Sequence, residues 1–299
     1  MKPAFLTACA AALIAAAAPA TAGVLYATNN FDLYTLNQAN GSANLVGTIN
    51  SNTSGRNVID MAAAGSTLYG LVLEQVGGVT QSRLSLIDAA AATMTDLPLI
   101  SGIVTTAGPA RRIDTIAFHA GTMYGINNGP NRSLYTINTS TGAATLVAAL
   151  PSVSNGLVQY RSLSFGAAGV LYAALNNLGD NTVASELVTI DIASGAQTTV
   201  GSLAGAVLGD LAYDGDSGIL FGGGFETTAL PDDQPTVAAL FAIDASAGQA
   251  SLRGGFPAGL WAGLAVLPSA SVPEPGTLLL VGLAIVGLLT WQKRRSLAG

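Results

Sequence analysis

Short runs in which apolar and polar residues alternate fill most of this chain, and they recur at a fixed distance. An element Leu-x-x-Ile/Leu-Asp/Asn occurs at residues 33–37, 84–88, 134–138, 187–191 and 240–244, in steps of 51, 50, 53 and 53 residues. Alternation of this kind predicts half-buried strands rather than helices. In four copies the Asp or Asn is followed at the fourth position by glycine (Gly41, Gly142, Gly195, Gly248), and the second copy has Ala92 there. An Asx side chain folding back on its backbone, followed by a residue at positive φ, is the chemistry of a tight hairpin.

Two more elements precede each copy. Nearest is a Leu/Met-Tyr/Phe pair: Leu25-Tyr26, Leu68-Tyr69, Met123-Tyr124, Leu171-Tyr172 and Leu220-Phe221. Before it comes an apolar triplet with a small middle residue, centred on Ala62, Ala117, Ser164 and Ala212. The first copy lacks this triplet, and the chain supplies it late, as Leu264-Ala265-Val266. Four strands per repeat of about 50 residues suit a blade or a solenoid coil. The permuted last strand suits a ring, because it completes the first blade and removes two open edges. The expected fold is therefore all-β, a β-propeller of five four-stranded blades closed by the C-terminal strand. Irregular spacing between Ile100 and Arg111 leaves room for a sixth blade.

Both ends of the chain read differently from the body. Lys2, an apolar stretch over 5–18 and Ala20-Thr21-Ala22 before Gly23 read as a signal peptide cleaved by the A-x-A rule. At the other end Val272-Pro273-Glu274-Pro275-Gly276 precedes an uncharged apolar run to Trp291 and then Lys293, Arg294 and Arg295. The run predicts a single transmembrane helix that starts sharply after the prolines, with the cations at its cytoplasmic end. The expected organisation is thus signal peptide 1–22, propeller 23–268, Pro-rich linker 269–276, transmembrane helix 277–292 and basic tail 293–299.

Pro-Glu-Pro, an apolar helix and an Arg cluster, in that order, resemble the PEP-CTERM sorting signal of Gram-negative bacteria that make exopolysaccharide. The resemblance implies recognition by an exosortase, a membrane enzyme, and cleavage near Pro273-Glu274-Pro275. It also implies a transient inner-membrane anchor with a periplasmic body, then delivery to the cell surface or matrix.

Composition narrows the function classes. Cys9 is the only cysteine and lies in the segment to be removed, which excludes a thiol nucleophile, a disulfide or a thiolate ligand in the body. Residues 23–272 hold 16 Asp plus Glu against seven Arg and no Lys, a balance that repels nucleic acid. No cofactor or metal motif is present. His119 stands alone as the only histidine, and no G-x-S-x-G accompanies it. Asp214-Gly215-Asp216-Ser217-Gly218 opens like a calcium loop but has no acid at its twelfth position, so it reads as a turn.

Up-and-down strand order puts the connections from outermost to innermost strand on one face, with the Asn-rich middle loops. Arg56, Arg112, Tyr160, Arg161 and Trp261 are expected there, near the axis. Guanidinium groups and aromatic rings flanked by amides suit a sugar polymer. The plainer alternative pairs these arginines with Asp60, Asp114 and Asp210 and uses Trp261 to seal the last blade. On this reading the chain is a non-catalytic surface or matrix protein, with exopolysaccharide as its candidate ligand and the sorting enzyme as its partner. The alternative is a secreted polysaccharide hydrolase or lyase.

Overall fold

The computed structural model describes residues 22–49, 56–103, 112–129, 131–152, 158–178, 180, 183–227, 238–256 and 263–269. Residues 22–269 form one compact unit. The expected signal peptide before Ala22, the Pro-Glu-Pro segment, the expected transmembrane helix, the basic tail and Trp261 lie outside the described residues. Among the described residues no helix is long and apolar enough to cross a membrane.

Among the described residues twenty strands make five antiparallel sheets of four. The first blade holds β1 (Val24–Thr28), β2 (Asp32–Leu36) and β3 (Ala43–Thr48). The second runs β4 (Asn57–Ala64), β5 (Thr67–Val76), β6 (Val79–Asp88) and β7 (Thr93–Leu99). The third runs β8 (Thr115–His119), β9 (Thr122–Asn127), β10 (Ser133–Ile137) and β11 (Ala144–Ala149). The fourth runs β12 (Val158–Phe165), β13 (Leu171–Asn177), β14 (Glu186–Ile190) and β15 (Gln197–Ser202). The fifth runs β16 (Ala206–Asp214), β17 (Ile219–Glu226), β18 (Ala238–Asp244) and β19 (Gln249–Phe256). Finally β20 (Gly263–Leu267) returns to the first blade and pairs with β1, setting Leu25 opposite Val266 and Ala27 opposite Leu264.

The ring is closed. The innermost strands neighbour one another in the cycle β4, β8, β12, β16, β20 and back to β4. Apolar packing says the same: five buried clusters occupy the five seams between adjacent blades, where an open array would have four. Each blade buries both faces, so its alternate side chains enter different seams. Leu25 packs toward the fifth blade and Tyr26 toward the second. Five blades account for the described strands, and just after Ile100 an isolated bridge joins Ser101 to Ala143.

The hairpins between the two outer strands obey the predicted chemistry. Gly41, Gly142, Gly195 and Gly248 take φ between 64° and 73°, and Ala92 reaches 50° in the same place. The Asx oxygen ahead of each accepts backbone N–H groups, as Asp88 does from Ala90 and Ala91. Every outer edge strand also carries a bulge, which blunts edge-to-edge pairing.

Candidate functional site

Three layers surround the axis. The first is the predicted ring of small residues, where Ala62, Ala117, Ser164, Ala212 and Ala265 line an axial cavity of about 90 Å³. Side chains two residues earlier point the same way along a strand, which stacks Asp60, Thr115, Ser162, Asp210 and Gly263 as a second ring. Just ahead of it β4, β12 and β16 each carry a bulge, at Ile59, Arg161 and Gly209.

Asp60 and Asp210 are each 1% exposed and hydrogen-bonded to one another. Gly263 stands between them in the ring, and a Cβ there would lie 3.0 Å from Met61 Cγ and Thr28 Cγ2 and 3.1 Å from the Asp60 backbone carbon. Asp60 accepts the Thr115 hydroxyl at 2.6 Å and the N–H groups of Ile116 and Met61 at 2.7 Å. Asp210 accepts the N–H of Leu211 at 2.7 Å and that of Leu264 in the closing strand. Burial pushes Asp60 up to about 6, against the hydrogen bonds it receives. Asp210 lies well above the usual carboxylate range, through burial and then the charge of Asp60. Two buried carboxyls in contact cannot both ionise cheaply, so the pair holds a proton between them. This corrects the arginine pairing expected for these two aspartates: each acid reaches the next blade's backbone instead. Only the Asp114 pairing holds, with Arg112 Nε at 2.7 Å.

The third layer is the face above this ring. Burial raises Asp114, opposed by Arg112, by the Asn128 N–H and by the charge of Arg161. Arg161 is exposed. So Arg112, Asp114 and Arg161 gather at the third and fourth blades. Arg56 stands apart, bound to Asp96 at 2.6 Å and Glu74 at 3.3 Å across the second blade. Burial disfavours the Asp96 anion, yet the Arg56 bond and charge hold it below the usual range. Tyr160 is 1% exposed, and its hydroxyl donates to Gln197 at 2.7 Å. Burial pushes its phenol up to about 12 despite the Arg132 guanidinium over its ring. A ring so enclosed offers no face for a sugar, so Tyr160 belongs to the seam.

The amides are also engaged. Asn128 bonds both backbone groups of Tyr160, donating at 2.8 Å and accepting at 2.9 Å. Asn176 donates to the Leu208 carbonyl and accepts from Ser185, whose oxygen takes the Leu208 N–H. These are staples between adjacent blades. On the opposite face His119 stacks on Phe165, centroids 4.6 Å apart. No group of three or more metal-ligating side chains occurs among the described residues.

Beyond the propeller, residues 271–295 match the family model described as the PEP-CTERM protein-sorting motif. The chain carries a PEP-CTERM sorting motif. It marks an exported protein of Gram-negative bacteria, with a transient membrane anchor and processing by an exosortase-type system. No curated protein matches the PEP-CTERM chain in sequence. Solved structures resemble it at low identity. A chain of the nidogen/laminin complex is 12% identical, with 82% of this chain and 98% of that one covered and a TM-score of 0.45. The Bacteroides ovatus xyloglucan PUL GH43B protein is 14% identical, at 84% and 57% coverage and a TM-score of 0.45, so this chain spans little more than half its length. Sucrose-6-phosphate hydrolase from Lactobacillus gasseri is 11% identical, at 80% and 64% coverage and a TM-score of 0.49.

Proposed function

We propose that this is an exported surface or matrix protein whose propeller binds or spaces rather than catalyses. Residues 1–22 are removed on export, 23–268 form the delivered body, and the apolar segment 277–292 holds it in the inner membrane. Cleavage near Pro273-Glu274-Pro275 releases it to the surface. The observation that carries the non-catalytic reading is the enclosure of the axial acids. Glycoside cleavage needs two carboxyl groups flanking a substrate bond, whereas Asp60 and Asp210 are buried and bonded to each other and to backbone N–H groups.

The ligand class is exopolysaccharide, met at the face around Arg161 and Arg112. Arg161 is an exposed cation raised on a bulge in a body otherwise poor in positive charge, and its fork suits paired sugar hydroxyls or uronate oxygens. Co-sedimentation of the exported protein with the producer's own polymer tests this. Arg161→Ala should weaken binding about tenfold, the order expected from losing one charge-assisted contact. Undiminished binding by that variant removes the face, and release of reducing ends from the polymer moves the chain to the enzyme class.

A further inference from the structure

We propose that removing the leader after Ala22 creates a buried ion pair between the new α-ammonium of Gly23 and the Asp214 carboxylate, coupling processing to closure of the ring. The proposal rests on reading residues 1–22 as a cleaved signal peptide.

Asp214 ends β16 and is 1% exposed. Its Oδ1 accepts the Asp216 N–H at 3.0 Å, and its Oδ2 accepts the Ser217 hydroxyl at 2.8 Å and the Gln38 amide at 3.2 Å. All three donors are neutral. Among the described residues no ion pair involves Asp214. A buried carboxylate without a countercharge is costly. The remaining donor is Gly23 N, 3.4 Å from Oδ1.

The pocket around Gly23 is shaped for that residue. A Cβ there would lie 2.5 Å from Val266 Cγ1, 2.8 Å from the Leu267 carbonyl oxygen and 3.1 Å from Asp214 Oδ1. Gln38 donates to the Gly23 carbonyl at 2.8 Å, so one amide holds both members of the proposed pair. While the leader is attached, Gly23 N carries a single hydrogen on a long bond. Once cut, it carries three donors and a full charge at the same place. The other groups facing it are Asp216 in the same turn, which also favours a cation, and the uncharged Gln38, Val266 and Leu267. Asp216 in turn accepts from Ser269, so this turn holds both ends of the propeller.

An α-amine titrates ordinarily between about 7.7 and 8.0, and the pair raises it in the folded protein. The stabilisation is full below the unfolded value and is lost as pH rises through the raised folded one. The test is trace acetylation of the exported protein across pH 6–11, with mass spectrometry of the amino-terminal peptide and the same protein in urea as reference. The expected result is labelling at pH 8 about tenfold slower folded than unfolded, one unit of pKa, with the difference abolished in Asp214→Asn. Equal labelling of folded and unfolded wild type, in a chain whose intact mass begins at Gly23, overturns the ion pair. A mass beginning elsewhere overturns the leader reading instead, and the ion pair is then decided on a chain made to start at Gly23. The wild-type comparison stands even if Asp214→Asn does not fold.

Discussion

Substituting Asp210 by Asn should reverse sign with pH: slightly destabilising at pH 4 and stabilising at pH 8. Asn keeps the shape and the donor toward Asp60, so it imitates the protonated acid, but it cannot ionise. It also loses one carboxyl oxygen, leaving either the Leu211 or the Leu264 N–H without its acceptor, which costs about 1 kcal/mol. At pH 4 that loss dominates. At higher pH the wild type carries a growing penalty. Both acids are raised, so the folded chain keeps protons that the unfolded chain releases above its ordinary carboxylate values, and stability falls as pH climbs through the folded ones. For Asp60, raised from 3.8 to about 6, the loss is on the order of 3 kcal/mol at 1.4 kcal/mol per unit. Asp210 is raised as well, by burial and then by the charge of Asp60. The variant removes the second acid and replaces it with a donor to the Asp60 anion. It should therefore be more stable than wild type at pH 8, by the Asp210 share alone, since Asp60 stays buried in both proteins.

Urea unfolding followed by circular dichroism at pH 4, 6 and 8, on wild type and variant together, reads the effect. Asp88, Asp191 and Asp244 pull the other way. Each is held below its usual range by hairpin hydrogen bonds, from Ala91 N–H, the Ser194 hydroxyl and the Ser246 hydroxyl respectively. Their contribution is present above the unfolded carboxylate value and lost in acid, but it is common to both proteins and cancels in the difference. Parallel curves from pH 4 to 8, with no crossing, would refute the shared-proton reading.

Asn128→Ala removes both bonds to the Tyr160 backbone and should cost about 2–3 kcal/mol, read as a lower urea midpoint with unchanged slope. Gly142→Ala meets the Leu99 carbonyl oxygen at 2.2 Å from a φ of 73°. Gly65→Ala, at φ 59° with nothing within 4 Å, carries the backbone strain alone. Thermal melting should therefore place Gly142→Ala well below Gly65→Ala, whose cost is about 1 kcal/mol.

The fold was legible because its signals are local. Period-two alternation, Asx-x-x-x-Gly spacing and a displaced Leu264-Ala265-Val266 each read correctly without knowing any neighbour. The site was less legible because its residues act across seams. Tyr160 and Arg161 are adjacent in sequence and looked alike as face residues, but the bulge at Arg161 breaks the alternation. It leaves the arginine outside and the tyrosine inside. The Asn-rich loops showed amides without showing that Tyr160 and Leu208 of the next blades were waiting for them. The acid pair did leave a signal. Asp60 and Asp210 each sit two residues before the small axial residue, and strand alternation alone aims both at the axis. Between them the matching position of the last repeat is Gly263, where Met61, Thr28 and the Asp60 backbone leave little room for a side chain.

That glycine belongs to the one blade that is not continuous in sequence, and this explains why the unusual polar chemistry collects beside it. Joining β20 to β1 closes a loop of nearly the whole domain, at an entropic cost of about 5 kcal/mol. Burying Leu264 and Val266 in the strand returns roughly 1.5–3 kcal/mol each, an amount of the same order. Apolar contact alone thus leaves closure near balance. What tips it comes from the fifth blade: Asp210 takes the Leu264 N–H, Asp214 takes the Gly23 N–H, and Asp216 takes Ser269. No other seam must join the two ends of the domain. Disabling these three acceptors should open the propeller at the first blade while the remaining seams stay packed.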